Sequence, residues 1–328
     1  MHNRIRLIAV PALAVTALFL AGCATGAAPA SAPTATVDPA TPVTVDNCGF
    51  EVTFDTAPER VVTIKSSTTE AMLALGLGDR IVGTAFQDGP VPEQWEADAA
   101  KLTSIADKVP SEEVALELEP DMIFAGWESN FSAEGVGERE ELATLGVASY
   151  VSPAACQSSG QPNPLTFDDI FSEVEELGAI FRVDASPLVT EQQDALDELK
   201  PAGDDRSALW YSSGSDTPYV GAGIGAPQLV LDTVGLTNVA GDVDATWAPL
   251  SWEAVVDADP DFIVLVDATW NTAANKIEML QTNPATANLS AVQNSRYLVV
   301  PFAASEAGVR SVEAAESINS QIEELDAK

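Results

Sequence analysis

Hydrophobic and polar positions divide the chain into segments with different periods. Leu7 to Leu20 is an apolar run, residues 24–45 have no hydrophobic period, and from Val45 onward short β-branched runs alternate with amphipathic stretches. In the first half, RVVTI at 60–64 predicts a strand, KSSTTEAMLALGLG a helix closed by Gly, and RIVGTAF the next strand. Ser67 and Glu70 have the spacing of a capping box in that helix. DMIFAGW and the end of ELATLGVASYV predict two more strands. In the second half, SALWYSS at 207–213 reads as a strand and APQLVLDTVGLTNVAG as a helix, with RYLVVPFAA the last strand and 311–326 the last helix. Such alternation predicts parallel sheet covered by helices on both faces.

One pattern occurs twice. SEEVALELEPDMIF begins at Ser111 and SWEAVVDADPDFIV at Ser251, so Glu113 and Glu253, like Pro120 and Pro260, are 140 residues apart. Each copy predicts a serine N-cap, a short helix, Pro-Asp and a strand. Glu113 and Glu253 then fall at the second helical position, exposed and close to the positive helix end. Glu112 and Glu70 read as local helix-start residues. Between the copies, DASPLVTEQQDALDELKP offers Ser186 as cap, Pro187 in the first turn and Pro201 as stop. That is a helix of about 14 residues, about 20 Å long. The expected architecture is α/β: two Rossmann-like lobes with parallel sheets, residues 46–183 and 202–328, joined by a single rigid helix within 184–201, with a ligand cleft between the lobes.

The N-terminus adds an address. Arg4 and Arg6 precede the apolar run, which ends in Leu20-Ala21-Gly22-Cys23. The run is short for a membrane span. Small residues before a cysteine resemble the bacterial lipoprotein cleavage box, which implies removal of residues 1–22 and lipidation of Cys23. Residues 23–45, rich in Ala, Pro and Thr, are expected to tether the protein to the outer face of the cell membrane. Export leaves Cys48 and Cys156 as an even pair: a disulfide, or two unpaired thiols. A disulfide closing a loop of roughly 100 residues contributes at most about 4–5 kcal/mol.

Composition removes several function classes. A hydrophobic fraction of 46% with 20% charged residues belongs to a globular chain. The net charge of −35 argues against nucleic acid and against an anionic membrane surface as partners. His2 is the only histidine and lies in the cleaved segment. This excludes Ser-His-Asp and Cys-His catalysis and histidine-ligated zinc or haem. Hydrolysis by paired carboxylates stays open. DADPD at 257–261 lacks the Gly and Glu of a calcium loop, and no metal site or cofactor is expected. GAGIGAP at 221–227 departs from the dinucleotide fingerprint and reads as a plain turn or as an anion-facing helix start.

APERVVTIKSSTTEAMLALGLGDRIVG, both Pro-Asp repeats and GLTNVAGDVDATWAPLSWE together resemble the helix-linked substrate-binding lipoproteins of ABC importers for ferric siderophores, haem and cobalamin. The resemblance covers the chain after Val45. It implies a monomeric, non-enzymatic protein whose partners are a permease, an ATPase and a small ligand, with Glu113 and Glu253 docking on permease arginines. The ligand is expected at the carboxyl ends of the strands. The candidates there are Lys65, Ser66, Phe86, Trp127, Tyr219, Trp270 and Arg310, with Trp247 added from the family pattern. Lys65, Lys108 and Arg310 favour an anionic ligand with a flat apolar part. WYSSGSDTPYVGAGIGAP and VPFAASEAGVRSVE are similar to an actinobacterial branch proposed to import the precursor of the deazaflavin coenzyme F(420). A ferric siderophore and a deazaflavin precursor are the leading ligands, and cobalamin is third. The alternative from another class is an exported carboxylate-dependent hydrolase.

Overall fold

The β-branched runs pair into two main sheets. In the computed structural model, which describes residues 41–157 and 163–328, the first sheet has the spatial order Ser104–Ala106, Ile81–Ala85, Val61–Ile64, Met122–Ala125, Ala148–Val151, all parallel. Cys23 and the signal segment lie outside the described residues. In the second sheet the path is Trp247–Pro249, Tyr219–Gly221, Ser207–Ser213, Phe262–Asp267, Tyr297–Pro301. Val61, Val62 and Ile64, like Phe262 through Val266, are fully buried, as strands covered on both faces must be.

The second sheet is mixed rather than parallel as expected. Tyr219–Gly221 runs antiparallel to Ser207–Ser213, and Trp247–Pro249 antiparallel to Tyr219–Gly221. Gly214 explains the reversal: at φ 85 it turns the chain back at once, and a Cβ there would lie 2.2 Å from the Thr217 carbonyl oxygen. A hairpin precedes the first sheet and was not foreseen. Val43–Asn47 and Phe50–Phe54 pair antiparallel around Cys48 (φ 60) and Gly49 (φ 77), the two positive values a primed turn requires. The first strand among the described residues therefore begins at Val43, inside the expected tether. Asn47 exchanges two 2.8 Å hydrogen bonds with the Val151 backbone, and Cys48 is bonded to Cys156 with Cα atoms 5.1 Å apart.

The repeat has a mechanical role. Asp121 accepts from the Glu59 and Arg60 amides at 2.8 and 3.0 Å, and Asp261 from the Ser207 amide and hydroxyl at 2.8 and 3.0 Å. Each Pro-Asp carboxylate thus fastens the start of its strand to the start of the neighbouring one. Charge-assisted bonds of this kind outweigh neutral ones. Ser111 and Ser251 cap the helices Glu112–Leu116 and Trp252–Ala258 through the Val114 and Ala254 amides.

Two helix starts differ from expectation. The helix Ser66–Ala74 has Lys65 as N-cap and no side-chain cap, so Ser67 and Glu70 form no capping box. Glu70 is instead buried and paired with Arg310 at 3.3 Å. The connecting helix Ser186–Glu198 is N-capped by Ala185, while the Asp184 carboxylate takes the Ser186 amide at 3.0 Å. It is not the sole tie between the halves. Val309 and Val312 insert into the core beneath the first sheet, and Gln192 donates to the Val309 carbonyl at 2.8 Å.

The helix Phe167–Phe181 carries Glu173 into this core, where burial pushes its carboxyl up to about 8 despite a hydrogen bond with Ser152. A carboxyl with a raised folded-state pKa stabilises the fold fully below its ordinary value of 4.5, and that contribution is lost as pH rises through about 8. Glu173→Gln is therefore expected to raise the Tm by several degrees at about pH 8.5 and to leave it unchanged at about pH 4. Thermal unfolding followed by circular dichroism at both values checks this.

Candidate ligand cleft

The carboxyl ends of strands from both sheets converge on one cavity of about 380 Å³. Trp127 follows Met122–Ala125, Ser152 follows Ala148–Val151, Trp270 follows Phe262–Asp267 and Phe302 follows Tyr297–Pro301. Crevices beyond strand carboxyl ends are where open α/β sheets bind ligands. The walls are aromatic. Tyr219 and Trp247 stack with centroids 6.3 Å apart and planes at 13°, while Trp127 and Trp270 meet Phe302 edge-on at 6.4 and 5.5 Å. Trp270 is 50% exposed and Tyr219 43%, high values for large rings. The chain leaves apolar surface uncovered here.

Four of the eight sequence candidates line the cavity: Trp127, Tyr219, Trp247 and Trp270. Lys65, Ser66, Phe86 and Arg310 do not. The Lys65 ammonium is wholly buried, paired with Asp88, and lies 4.0–4.3 Å from the ring centroids of Phe86, Trp127 and Phe302. Ser66 braces the pair, its hydroxyl accepting the Asp88 amide at 2.8 Å. Phe86 is one wall of this cage. Arg310 is buried between Glu70 and Glu313, with bonds of 2.6 and 2.9 Å to the latter. Lys108 is exposed and away from the cavity. Lys65 and Arg310, two of the three cations expected to meet a ligand, thus hold the protein together. Each of these two bases is drawn to a carboxylate, and sequence alone does not show which.

Lys65 occupies this place under strain. Its backbone, at φ 88 and ψ 149, lies in a region nearly reserved for glycine, at a cost of about 1–3 kcal/mol. The surrounding contacts outweigh that cost. Asp88 also bonds across the cleft: its carbonyl accepts from the Thr269 amide at 2.9 Å and hydroxyl at 3.2 Å, and its carboxylate from the Trp270 indole at 3.4 Å. Behind Trp270, the buried Lys276 ammonium donates to the Val266 and Asn271 carbonyls and fixes the loop, and burial lowers its pKa to about 8.

Phe302 and Glu306 are cleft residues that sequence reasoning passed over in favour of Arg310 in the same segment. The strand-end rule applied to the first residue after Pro301 would have found Phe302. The Trp127 indole donates to both Glu306 carboxylate oxygens, at 2.9 and 3.2 Å. Burial pushes this carboxyl up to about 7, against the pull of the Lys65 charge and of hydrogen bonds from Trp127 and Ser67. Glu306 is the only carboxyl among the described cavity-lining residues, so that lining offers no carboxylate pair for hydrolysis. No group of three or more potential ligands for a metal occurs among the described residues.

The glycines of GAGIGAP are explained by packing. A Cβ on Gly221 would lie 2.2 Å from Pro227 and one on Gly223 2.1 Å from the Gly241 carbonyl oxygen. Gly225 and Ala226 still line the cavity. Glu113 and Glu253 are exposed at the second positions of their capped helices.

Removing one partner of a buried ion pair leaves an uncompensated charge. Lys65→Met is expected to destabilise the protein by about 3–5 kcal/mol, and Lys65→Met with Asp88→Asn to recover more than half of the loss. Urea unfolding of the native protein, both single variants and the double variant measures the coupling.

The family model for periplasmic binding proteins matches residues 61–304. The uncharacterized ABC transporter substrate-binding lipoprotein YvrC of Bacillus subtilis is 24% identical over 95% of each chain. A cobalamin-binding protein of Halobacterium salinarum is 27% identical over 90% of this chain and 80% of its own. Among solved structures, an ABC-type Fe3+-hydroxamate transport system from Saccharomonospora viridis aligns with a TM-score of 0.72 at 29% identity, covering 85% of this chain and 98% of that one. With a family match spanning the strands that build both sheets and the cleft between them, this chain belongs to the periplasmic binding protein family.

Proposed function

We propose that the protein is the extracytoplasmic solute-binding component of an ABC importer, anchored through a lipid on Cys23 to the outer face of the cell membrane. It captures a bulky ligand with a flat apolar part and delivers it, as a monomer, to a permease and its ATPase. The observation that carries this reading is the aromatic cavity at the strand ends of both sheets. Rings left exposed in this way are a feature of binding sites. At about 380 Å³ the cavity is at the small end of ligand pockets. The ligands that fit this description are a ferric siderophore and a deazaflavin precursor, with cobalamin third. The hydroxamate system and the cobalamin-binding protein among the relatives support the same range of ligands.

Glu113 and Glu253 are the proposed handles for the permease. Their placement on equivalent capped helices, one in each half, supports this role. An acidic handle at an N-terminal turn also gains from the helix dipole, by about 0.3–1 kcal/mol.

Two measurements test the reading. Intrinsic tryptophan fluorescence of the soluble form starting at Ala24 is titrated with ferric hydroxamate and catecholate siderophores, a deazaflavin phospholactate and cobalamin. Saturable quenching at micromolar or lower concentration by one of them is expected, and a folded protein silent to all would overturn the proposal. Glu113→Ala with Glu253→Ala is expected to leave that quenching unchanged while reducing uptake of the ligand at least tenfold in cells carrying the cognate permease. Unchanged uptake would remove the docking role.

A further inference from the structure

We propose that Glu306 sets the charge preference of the cleft, so that the protein selects ligands presenting a cationic or hydrogen-bond-donating group to it and discriminates against those bringing an anion. This inference rests on the solute-binding reading and reverses the anionic preference expected from the basic residues in the sequence.

Several independent observations lead to it. No Lys or Arg is among the described residues that line the cavity, and Glu306 is the one carboxyl among them. The indole N–H of Trp127 and the Ser67 hydroxyl occupy only part of that carboxylate's acceptor capacity, since two oxygens offer about four lone-pair sites. The nearest bases are already engaged. Lys65 has no exposure and lies against Asp88 and three rings, and Arg310 is held by Glu70 and Glu313. An anionic ligand could recruit Lys65 only by leaving Asp88 buried without its counter-charge. The rest of the wall acts in the same direction. Trp127, Tyr219, Trp247, Trp270 and Phe302 surround the space, and the faces of aromatic rings attract cations and repel anions.

Ionisation of Glu306 makes the preference depend on pH. Its carboxyl faces Ser67 and Lys65 at the start of the helix Ser66–Ala74, Trp127 after the strand Met122–Ala125, and, at longer range, Asp88. Burial pushes it up to about 7, and a bound cation favours the ionised form. Preference for a cation is therefore expected to strengthen as pH rises through that value.

The test uses ligand sets that change charge on a constant scaffold. Ferrioxamine B carries a pendant ammonium, its N-acetyl derivative none, and its N-succinyl derivative a carboxylate. Aquacyanocobinamide and dicyanocobinamide differ likewise as cation and neutral corrinoid, and riboflavin and its monophosphate as neutral and anionic fused rings. Each is titrated by tryptophan quenching against the native protein, Glu306→Gln and Glu306→Lys, with Tm values confirming that all three are folded. In whichever scaffold binds, the native protein is expected to favour the more positive member by roughly tenfold per charge, as for a hydrogen bond to a charged group. Glu306→Gln should flatten the order and abolish its change between about pH 6 and pH 8. Glu306→Lys should invert it. Native binding that favours the anion, or an order unchanged in Glu306→Gln, overturns the inference and leaves the solute-binding reading intact. A folded native protein that binds no member of any scaffold overturns both.

Discussion

Lys65 carries its charge into the interior at the end of the strand Val61–Ile64, and the pair it makes with Asp88 is the contact around which the cleft is assembled. Its ammonium fixes Phe86, Trp127 and Phe302 around one centre. Asp88 in turn holds Thr269 and Trp270 from the other half of the molecule. Burying both charges costs several kcal/mol for each ion before their attraction is counted. Lys65 adds backbone strain to that cost. Such an arrangement is poor value for stability alone, but it brings aromatic walls from both halves to one place.

A second constraint lies at the opposite ends of the strands. Asp121 and Asp261 each bind the start of a neighbouring strand and so set the register on which every strand-end residue depends. The staple between Cys48 and Cys156 ties the opening hairpin to the segment that carries Ala154, Ala155 and Gln157 into the cavity wall. Glu70 and Arg310 join the first helix of one half to the last segment of the other. Buried polar contacts of this kind give the interface between the halves a geometry that apolar packing alone leaves loosely specified.

The parts of the site that were readable from sequence are those set by strand position. Trp127 and Trp270 follow strands whose β-branched character is plain, and the strand-end rule needs nothing more. Tyr219 and Trp247 also line the cavity, though through an antiparallel hairpin that the alternating pattern did not announce. Lys65 satisfied the same rule and points elsewhere, because a positive φ turns it inward toward a carboxylate 23 residues away. Glu306 gave no signal of its own in a chain with 50 acidic residues.

Period and punctuation determined the α/β class, the repeated strand units and the capped helices bearing Glu113 and Glu253, because those features depend on neighbours a few residues apart. The 140-residue offset between the Pro-Asp copies was visible for the same reason. Tertiary structure decided which charges are spent on one another and which face the cavity. That choice depends on partners far apart in the chain, such as Arg310 and Glu70 at a separation of 240 residues. It also depends on desolvation, which is felt only once the core has closed around a group. The proposed charge preference of the cleft reverses the expected one for this reason, since Lys65 and Arg310 are locked inside while Glu306 lines the cavity.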